Sequence, residues 1–270
     1  ITIKIKNKMN EETRKRLANK SGDNNSQKAP KYTVPLIRFN GNTGAFRKVS
    51  KNEDNEDVET NIVAPVEFVI LKKRRTLSSF SANQSFFTNE HNTSAEKVML
   101  FKVIDKTVTF EDIGFAADIR EKYQALRTHE VVYVLFNGEI CKMEIKGGSL
   151  SGYYEYQKKL SEEELHSFEV TTVINSEKTK SDAGFGYYKM TFDFKRDDSL
   201  DFDLIEKSID EVSKACQDSD AYTKQKIAEK SGNKTGGNAG NLSIENDKAD
   251  KVFDSIGKDA DDINASDIQF

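Results

Sequence analysis

Lysines, arginines and aromatic residues are grouped in three short stretches of the sequence. Residues 72–75 are four consecutive cations, and three phenylalanines follow before residue 88. Residues 146–148 are Lys-Gly-Gly, and three tyrosines follow within 153–156. Residues 178–189 combine three lysines with aromatic residues. Bases of single-stranded nucleic acid stack on exposed rings at about 1–3 kcal/mol each, while cations contact the phosphates, so these stretches predict a surface that binds single strands.

The candidate nucleic-acid-binding residues come from these stretches and from one strand between them. They are Lys72, Lys73, Arg74, Arg75, Phe80, Phe86, Phe87, Lys142, Lys146, Tyr153, Tyr154, Tyr156, Lys178, Lys180, Tyr187, Tyr188 and Lys189. For each stretch, the alternative is that the rings belong to the core and the lysines are solvated. Residues 61–200 carry 19 Lys or Arg against 21 Asp or Glu, so a basic surface requires local segregation of charge. Binding would then depend on stacking as well as on phosphate contacts.

Side chains that could carry catalysis are few and scattered. The three histidines and two cysteines are distant in sequence, which fits neither a hydrolytic triad nor the ligand spacing of zinc. Cys141 has the inward parity of a strand, which predicts a buried thiol. The acidic pairs Glu111-Asp112 and Asp197-Asp198 could hold the metal of a nuclease, although such pairs more often lie in solvated loops. We therefore expect no catalytic residue, no metal and no cofactor, in a protein that is not an enzyme.

Strand patterns position the candidate residues from about residue 64 onwards. Residues 66–71 and 98–104 are rich in β-branched and aromatic side chains. Asn137-Gly138 separates two apolar runs, which predicts a two-residue hairpin because a type I′ turn requires positive φ at both positions. Alternation predicts a second hairpin over 168–196.

Helices are expected beside these strands. Residues 118–128 and 153–160 fit short helices, and apolar residues at intervals of three or four predict a longer amphipathic helix over about 201–229. The expected fold is mainly β with accessory helices: an OB-like five-stranded barrel with a long C-terminal helix and disordered tails.

Charge is unevenly distributed between the two ends of the chain. The 270 residues carry a formal charge of −4 and are 36% hydrophobic and 32% charged, which is polar for a globular protein. Residues 1–50 carry 12 Lys or Arg against three Asp or Glu, whereas residues 241–270 carry three against eight. Such ends are typical of interaction tails, and solvated ends are the alternative. The expected segments are a basic arm and acidic loop over 1–60, a β-domain over 61–200, an amphipathic helix over 201–230, and a flexible linker with an acidic tail over 231–270.

The C-terminal tail resembles that of a known family. A glycine- and asparagine-rich segment, 231–241, leads to an acidic end with an apolar tip. The residues that carry the likeness are Asp261, Asp262, Asp267, Ile268 and Phe270. Together with the expected β-domain, this end is similar to the single-stranded DNA-binding proteins of bacteria and phages, whose tails typically close on aspartates and Ile-Pro-Phe. Gln269 stands here in the proline position, and the basic arm and long helix resemble a phage or mobile-element variant.

This resemblance implies a protein that coats single-stranded DNA during replication, recombination and repair. The acidic tail would recruit replication or recombination proteins, in the cytoplasm, which is that of a bacterial host cell if a phage encodes the protein. No run of about 18 apolar residues is present, so no membrane helix is expected, and a homo-oligomer is left open. The main alternative is a structural or assembly protein of a phage virion, whose arms become ordered on assembly.

Overall fold

The computed structural model describes residues 33–232, apart from residues 55, 82–83, 106 and 182–183. Within this part the chain is mainly β, with eleven strands and three helices, as the alternating patterns predict. The strands are β1 (Leu36–Phe39), β2 (Phe46–Lys51), β3 (Asp57–Ile62), β4 (Val66–Phe80), β5 (Ser85–Thr88), β6 (Lys97–Ile104), β7 (Thr107–Phe115), β8 (Arg127–Phe136), β9 (Glu139–Ile145), β10 (Thr171–Lys180) and β11 (Gly186–Lys195). The helices are α1 (Ala116–Lys122), α2 (Ser149–Glu162) and α3 (Phe202–Gly232). Most of the expected basic arm and linker, and the whole acidic tail, lie outside the described residues.

The strands form an open, mixed sheet rather than a closed five-stranded barrel. Their order is β3-β2-β1-β9-β8-β4-β5-β6-β7, with β10 beside the start of β4 and β11 beside β10. Strand β4 has 15 residues and pairs with β10, β8 and β5 at successive positions, so it connects all parts of the sheet. Because β5, β6 and β7 extend the sheet beyond β4 instead of returning to β1, the sheet stays open.

The β structure begins earlier in the chain than the expected boundary near residue 60. β1, β2 and β3 pair in sequence order, and β1 joins the rest of the sheet through a parallel pairing with β9. Ile37 and Phe46, on β1 and β2, are buried in the main core. The acidic stretch within 51–59 therefore belongs to the turn and strands at one edge of the sheet.

Both predicted hairpins are present. Asn137 and Gly138 join β8 to β9 with φ values of 51° and 76°, the positive angles that a type I′ turn requires. Cys141 of β9 is buried, as its parity predicts. The second hairpin pairs β10 with β11 from Thr171 opposite Lys195 to Lys180 opposite Gly186.

The three helices also lie near their expected positions, with different bounds. α3 extends from Phe202 to Gly232 and α2 from Ser149 to Glu162, so both are longer than their apolar repeats indicate. α1 ends at Lys122, because the chain from Arg127 onwards pairs with β4 as β8 and cannot remain helical.

The central strands bury side chains on both faces of the sheet. On one face, here called the α2 face, Val132 and Val134 of β8 join the core beneath α2. On the opposite face, the α3 face, Val131 and Tyr133 pack with residues of α3 such as Val212. Burial on both faces explains why this strand is a continuous apolar run rather than an alternating one.

Candidate nucleic-acid interface

The four consecutive cations of β4 do not form one basic patch, because alternate residues of a strand point to opposite faces. A bulge interrupts the pairing of β4 with β8 between Ile70 and Lys72. Beyond it, Lys72 and Arg74 contact residues of α3. Lys73 and Arg75 instead lie on the α2 face, where Lys73 contacts α2.

Arg74 is held inside the protein, so it is not available at the surface as a nucleic-acid contact requires. Its side chain is 2% exposed. Two of its nitrogens donate hydrogen bonds of 2.9 and 2.6 Å to the two carboxylate oxygens of Asp220, and a third bond of 2.8 Å reaches the carbonyl oxygen of Glu90. A bidentate pair of this kind anchors α3 to the sheet. Lys72, half-buried, also faces α3 and lies 3.3 Å from the hydroxyl of Ser213.

Lys73 and Arg75 meet α2, which brings two of the predicted stretches together. The pairing register sets Arg75 opposite Glu130 of β8, and Arg75 Nε donates to Glu130 Oε1 at 2.8 Å. The hydroxyl of Tyr154 donates to the same oxygen at 3.0 Å. Lys73 Nζ donates to Oε1 of Gln157 at 2.6 Å. These contacts join β4, β8 and α2 in one polar cluster.

The three predicted tyrosines of α2 point in two directions. Tyr153 and Tyr156 are 2% and 1% exposed and pack against Phe192 of β11. Tyr154 is 47% exposed. A helix turns about 100° per residue, so residues three apart share the buried side and the one next to them faces outwards. Of the three, Tyr154 alone presents a ring to which a base could bind.

Phe80, Phe86 and Phe87 are covered to different extents. Phe87 is 9% exposed and stacks on Phe101 with ring centroids 5.3 Å apart. Phe86 is half-buried against the small core beneath α1. Phe80, at the end of β4, is also half-buried, and Nζ of Lys146 lies 5.8 Å from the centroid of its ring. Phe80 is therefore the phenylalanine of this stretch that is paired with a predicted cation.

The hairpin of β10 and β11 carries the third predicted stretch. Its candidate residues are Lys178, Lys180, Tyr187, Tyr188 and Lys189. The two lysines of β10 are exposed, whereas the two tyrosines are half-buried. The main-chain nitrogen of Tyr188 donates to the carbonyl oxygen of Gly41 at 2.6 Å, so this part of β11 is held against the turn after β1. Lys189 lies 3.6 Å from Glu177 across the hairpin.

A shallow groove between β1 and β9 collects the remaining predicted lysines. Its lining residues are Leu36, Ile37, Arg38, Phe39, Lys142, Glu144 and Lys146, and it is called the β1–β9 groove below. Leu36 lies opposite Lys142 in the parallel pairing, so these two side chains point to the same face of the sheet. Arg38 was not predicted from the sequence. Its alternation with apolar Ile37 places Arg38 on the opposite face of the strand, where it is half-buried, but nothing local indicates that β9 is its neighbour.

A carboxylate next to the groove balances part of its charge. Oε1 of Glu90 lies 3.2 Å from Nζ of Lys142, and Oε2 accepts a 2.9 Å hydrogen bond from the hydroxyl of Tyr133. Burial lowers the pKa of Lys142, but the charges of Glu90 and Glu144 and the hydrogen bond to Glu90 raise it overall. Lys142 is therefore a cation at neutral pH.

The groups that could carry catalysis stay apart in the structure. Within the described residues, no three His, Cys, Asp or Glu side chains are placed to hold a metal ion. Burial raises the pKa of Cys141 to about 11, which disfavours the reactive thiolate. Asp197 accepts a hydrogen bond of 3.1 Å from Thr171, and Asp112 one of 2.6 Å from Lys122. Asp197 and Asp112 therefore each form a hydrogen bond with a neighbouring hydroxyl or ammonium group.

No protein-family model, curated protein or solved structure matches this chain. In the described part of the chain, no helix combines the length and the apolar character needed to cross a membrane.

Proposed function

We propose that this protein binds single-stranded DNA in the β1–β9 groove and is not an enzyme. The observation that carries the proposal is the assembly of Arg38 of β1, Lys142 of β9 and Lys146, the residue after β9, from segments that are distant in sequence. Phe80 adds an aromatic ring beside Lys146. Cations that contact phosphates, together with a ring on which a base stacks, are the groups that single-stranded nucleic acid requires.

The chemistry of the groove follows from its side chains. The guanidinium of Arg38 can donate two parallel hydrogen bonds to one phosphate, whereas the lysines act as point charges. Each cation that contacts a single strand displaces condensed counterions and adds about 0.7 to the salt dependence of binding. A base stacked on the exposed part of Phe80 adds about 1–3 kcal/mol, so binding persists although the β-domain as a whole is not basic.

The proposal includes the finer expectations from the sequence. In the family that the tail resembles, an OB-like barrel holds the strand, and we propose that the β1–β9 groove takes this role. The tail residues Asp261, Asp262, Asp267, Ile268 and Phe270, outside the described residues, are the proposed contact for replication and recombination proteins. The proposed location is the cytoplasm, that of a bacterial host cell if a phage encodes the chain.

Fluorescence polarisation of a labelled oligo-dT tests the groove. We expect submicromolar, salt-sensitive binding by the full chain, and weaker binding with a smaller salt slope for Arg38→Gln and Lys146→Gln. Each substitution should reduce the slope of log affinity against log salt by about 0.7. The matched control is Lys158→Gln, an exposed cation on α2 whose charge is 3.6 Å from Glu162. No binding at low salt, or equal losses for all three variants, would contradict the proposal.

One observation favours the alternative of a virion assembly protein. β3 is an edge strand: within the described residues it pairs with β2 alone, and most of its side chains are exposed. Such an edge can add a strand from another chain. Analytical ultracentrifugation separates the two functions, because large symmetric assemblies without nucleic acid support assembly, whereas one small species that binds oligo-dT supports the DNA-binding function.

A further inference from the structure

A polar cluster on the α2 face lies apart from the β1–β9 groove. Lys73 and Arg75 contribute to it from β4, and Glu130 from β8. Tyr153 and Gln157 contribute from α2, where a spacing of four residues places them on the same side of the helix. These five residues are called the α2 cluster below.

Part of the α2 cluster is hydrogen-bonded. Glu130 is 4% exposed, and its Oε1 accepts from Arg75 and from Tyr154. Lys73 donates to Oε1 of Gln157. The acidic member of the cluster is thus already occupied by two donors, which leaves it poorly placed to attract a cation.

Two buried donors of the cluster have no partner. The hydroxyl of Tyr153 and Nε2 of Gln157 are both shielded from solvent and make no hydrogen bond. Tyr153 as a whole is 2% exposed. Buried polar groups in native proteins are almost always paired, so two orphaned donors one helical turn apart indicate a group that they are built to receive.

The surrounding charge identifies the kind of group. Burial and the charge and hydrogen bond of Glu130 raise the pKa of Tyr154 overall, against the opposing charges of Arg75 and Arg120. Lys73 and Arg75 thus give the cluster two cations against one carboxylate that is already hydrogen-bonded. Donors surrounded by excess positive charge favour an anion with several acceptor oxygens.

We propose that the α2 cluster binds a phosphate group. Tyr153 and Gln157 donate to its oxygens, while Lys73 and Arg75 supply the charge. Lys73 is exposed, and when its contact with Gln157 opens, its ammonium group can donate to the phosphate instead. The phosphate is either free, as inorganic phosphate or a mononucleotide, or part of a nucleic-acid backbone, and the cluster would recognise the same chemistry in each. This site does not depend on strand binding in the β1–β9 groove.

Two tyrosines on one helix provide a matched pair of variants. Tyr153→Phe removes the orphaned hydroxyl with little change of shape. Tyr156→Phe removes a buried hydroxyl that lies 2.6 Å from the hydroxyl of Thr172 and has no part in the cluster. Lys73→Gln is an exposed third variant that tests the charge without touching the core.

The experiment titrates inorganic phosphate into the full chain at constant ionic strength, by isothermal titration calorimetry and by the phosphate dependence of the melting temperature. We expect saturable binding by the wild type and by Tyr156→Phe, and dissociation constants at least about tenfold higher for Tyr153→Phe and Lys73→Gln. No saturable binding by the wild type, or equal binding by Tyr153→Phe, would overturn the proposal.

Oligo-dT as a second probe distinguishes the sources of phosphate. If Tyr153→Phe also weakens oligo-dT binding, the site takes a backbone phosphate; if oligo-dT affinity is unchanged while phosphate affinity falls, the site takes free phosphate or a mononucleotide. Both results support a phosphate site. Loss of phosphate binding leaves the effects of Arg38→Gln and Lys146→Gln on oligo-dT intact, so the two proposals fail independently.

Discussion

The two faces of the central strands use neighbouring cations in opposite ways. On the α3 face, Arg74 is enclosed, and its hydrogen bonds to Asp220 fasten a helix to the sheet. On the α2 face, Arg75 is 42% exposed and shares Glu130 with Tyr154. Arg74 therefore stabilises the fold, whereas its neighbour Arg75 belongs to a polar cluster that is partly accessible to solvent. A basic run in a strand is informative about binding only after its two faces have been separated.

The faces also differ in how they treat buried polar groups. Arg74 keeps its charge because Asp220 pairs with it. His129, 6% exposed, accepts or donates a hydrogen bond with Ser78 at 3.1 Å, and burial together with the charge of Lys146 lowers its pKa to about 3. Nε of Arg74 lacks a hydrogen bond, but the other two guanidinium nitrogens are paired, whereas the hydroxyl of Tyr153 on the α2 face is buried with no partner at all. The predictions below test this contrast.

The largest effect is expected from breaking the pair beneath α3. Removing one partner of a buried ion pair costs about 3–5 kcal/mol, and since the side chain of Asp220 is 26% exposed, we expect about 3 kcal/mol for Asp220→Ala. Urea unfolding measures this loss. Asp218→Ala removes an exposed carboxylate from the same helix and should change stability by less than about 0.5 kcal/mol. Equal stabilities of the two variants would show that the pair does not anchor α3.

A smaller loss of stability is expected on lowering the pH, because His129 stays neutral in the folded protein. Below the ordinary histidine pKa of about 6.5, the unfolded chain binds a proton that the folded protein excludes, so stability falls by about 1.4 kcal/mol per pH unit as pH decreases towards 3. Between pH 6.5 and 5 this amounts to about 2 kcal/mol. Chemical denaturation at several pH values should show that His129→Gln removes this contribution to the pH dependence.

His166→Gln is the control for the pH experiment, since His166 is exposed and should leave the dependence unchanged. Burial also lowers the pKa of His91. Its protonation therefore also reduces stability as pH decreases, and this effect remains in both variants. A pH dependence that is identical in His129→Gln and His166→Gln would contradict the buried neutral state of His129.

The smallest effect is expected on the α2 face. Tyr156→Phe breaks the hydrogen bond with Thr172 and leaves that hydroxyl buried and unpaired, which costs about 1–2 kcal/mol. Tyr153→Phe removes a group that already has no partner, so its stability without phosphate should equal or exceed that of the wild type. Thermal unfolding of the two variants in phosphate-free buffer measures the difference. A larger loss for Tyr153→Phe would show that its hydroxyl is bonded in solution.

Features that depend on neighbouring residues were predictable from the sequence. Asn137-Gly138 dictates a turn because few other residues tolerate positive φ at both positions, and the apolar repeat from residue 201 onwards indicates α3 within a few residues. The parity of β9 likewise predicted the burial of Cys141. Each of these follows from contacts or angles within a short segment.

The candidate sites were less predictable, because their members come from distant segments. Arg38 and Lys146 share a groove only because β1 pairs with β9 in parallel. The two strands are not joined by a turn, so no turn signal in the sequence indicates this pairing. Tyr153 and Tyr156 were expected to offer rings to bases, yet the core beneath α2 buries them. Whether an aromatic side chain is a ligand platform or part of a core depends on what packs above it.

The sequence by itself determined most of the strands from β4 onwards, both hairpins, the long helix and the alternation that sends the four cations of β4 to two faces, because these depend on backbone geometry over a few residues. Only the tertiary structure decided that α3 closes over Arg74, that Glu130 and α2 surround Arg75, and that β1 lies beside β9. The physical reason is that burial and electrostatic pairing are set by elements far apart in the chain, whose docking no local pattern encodes.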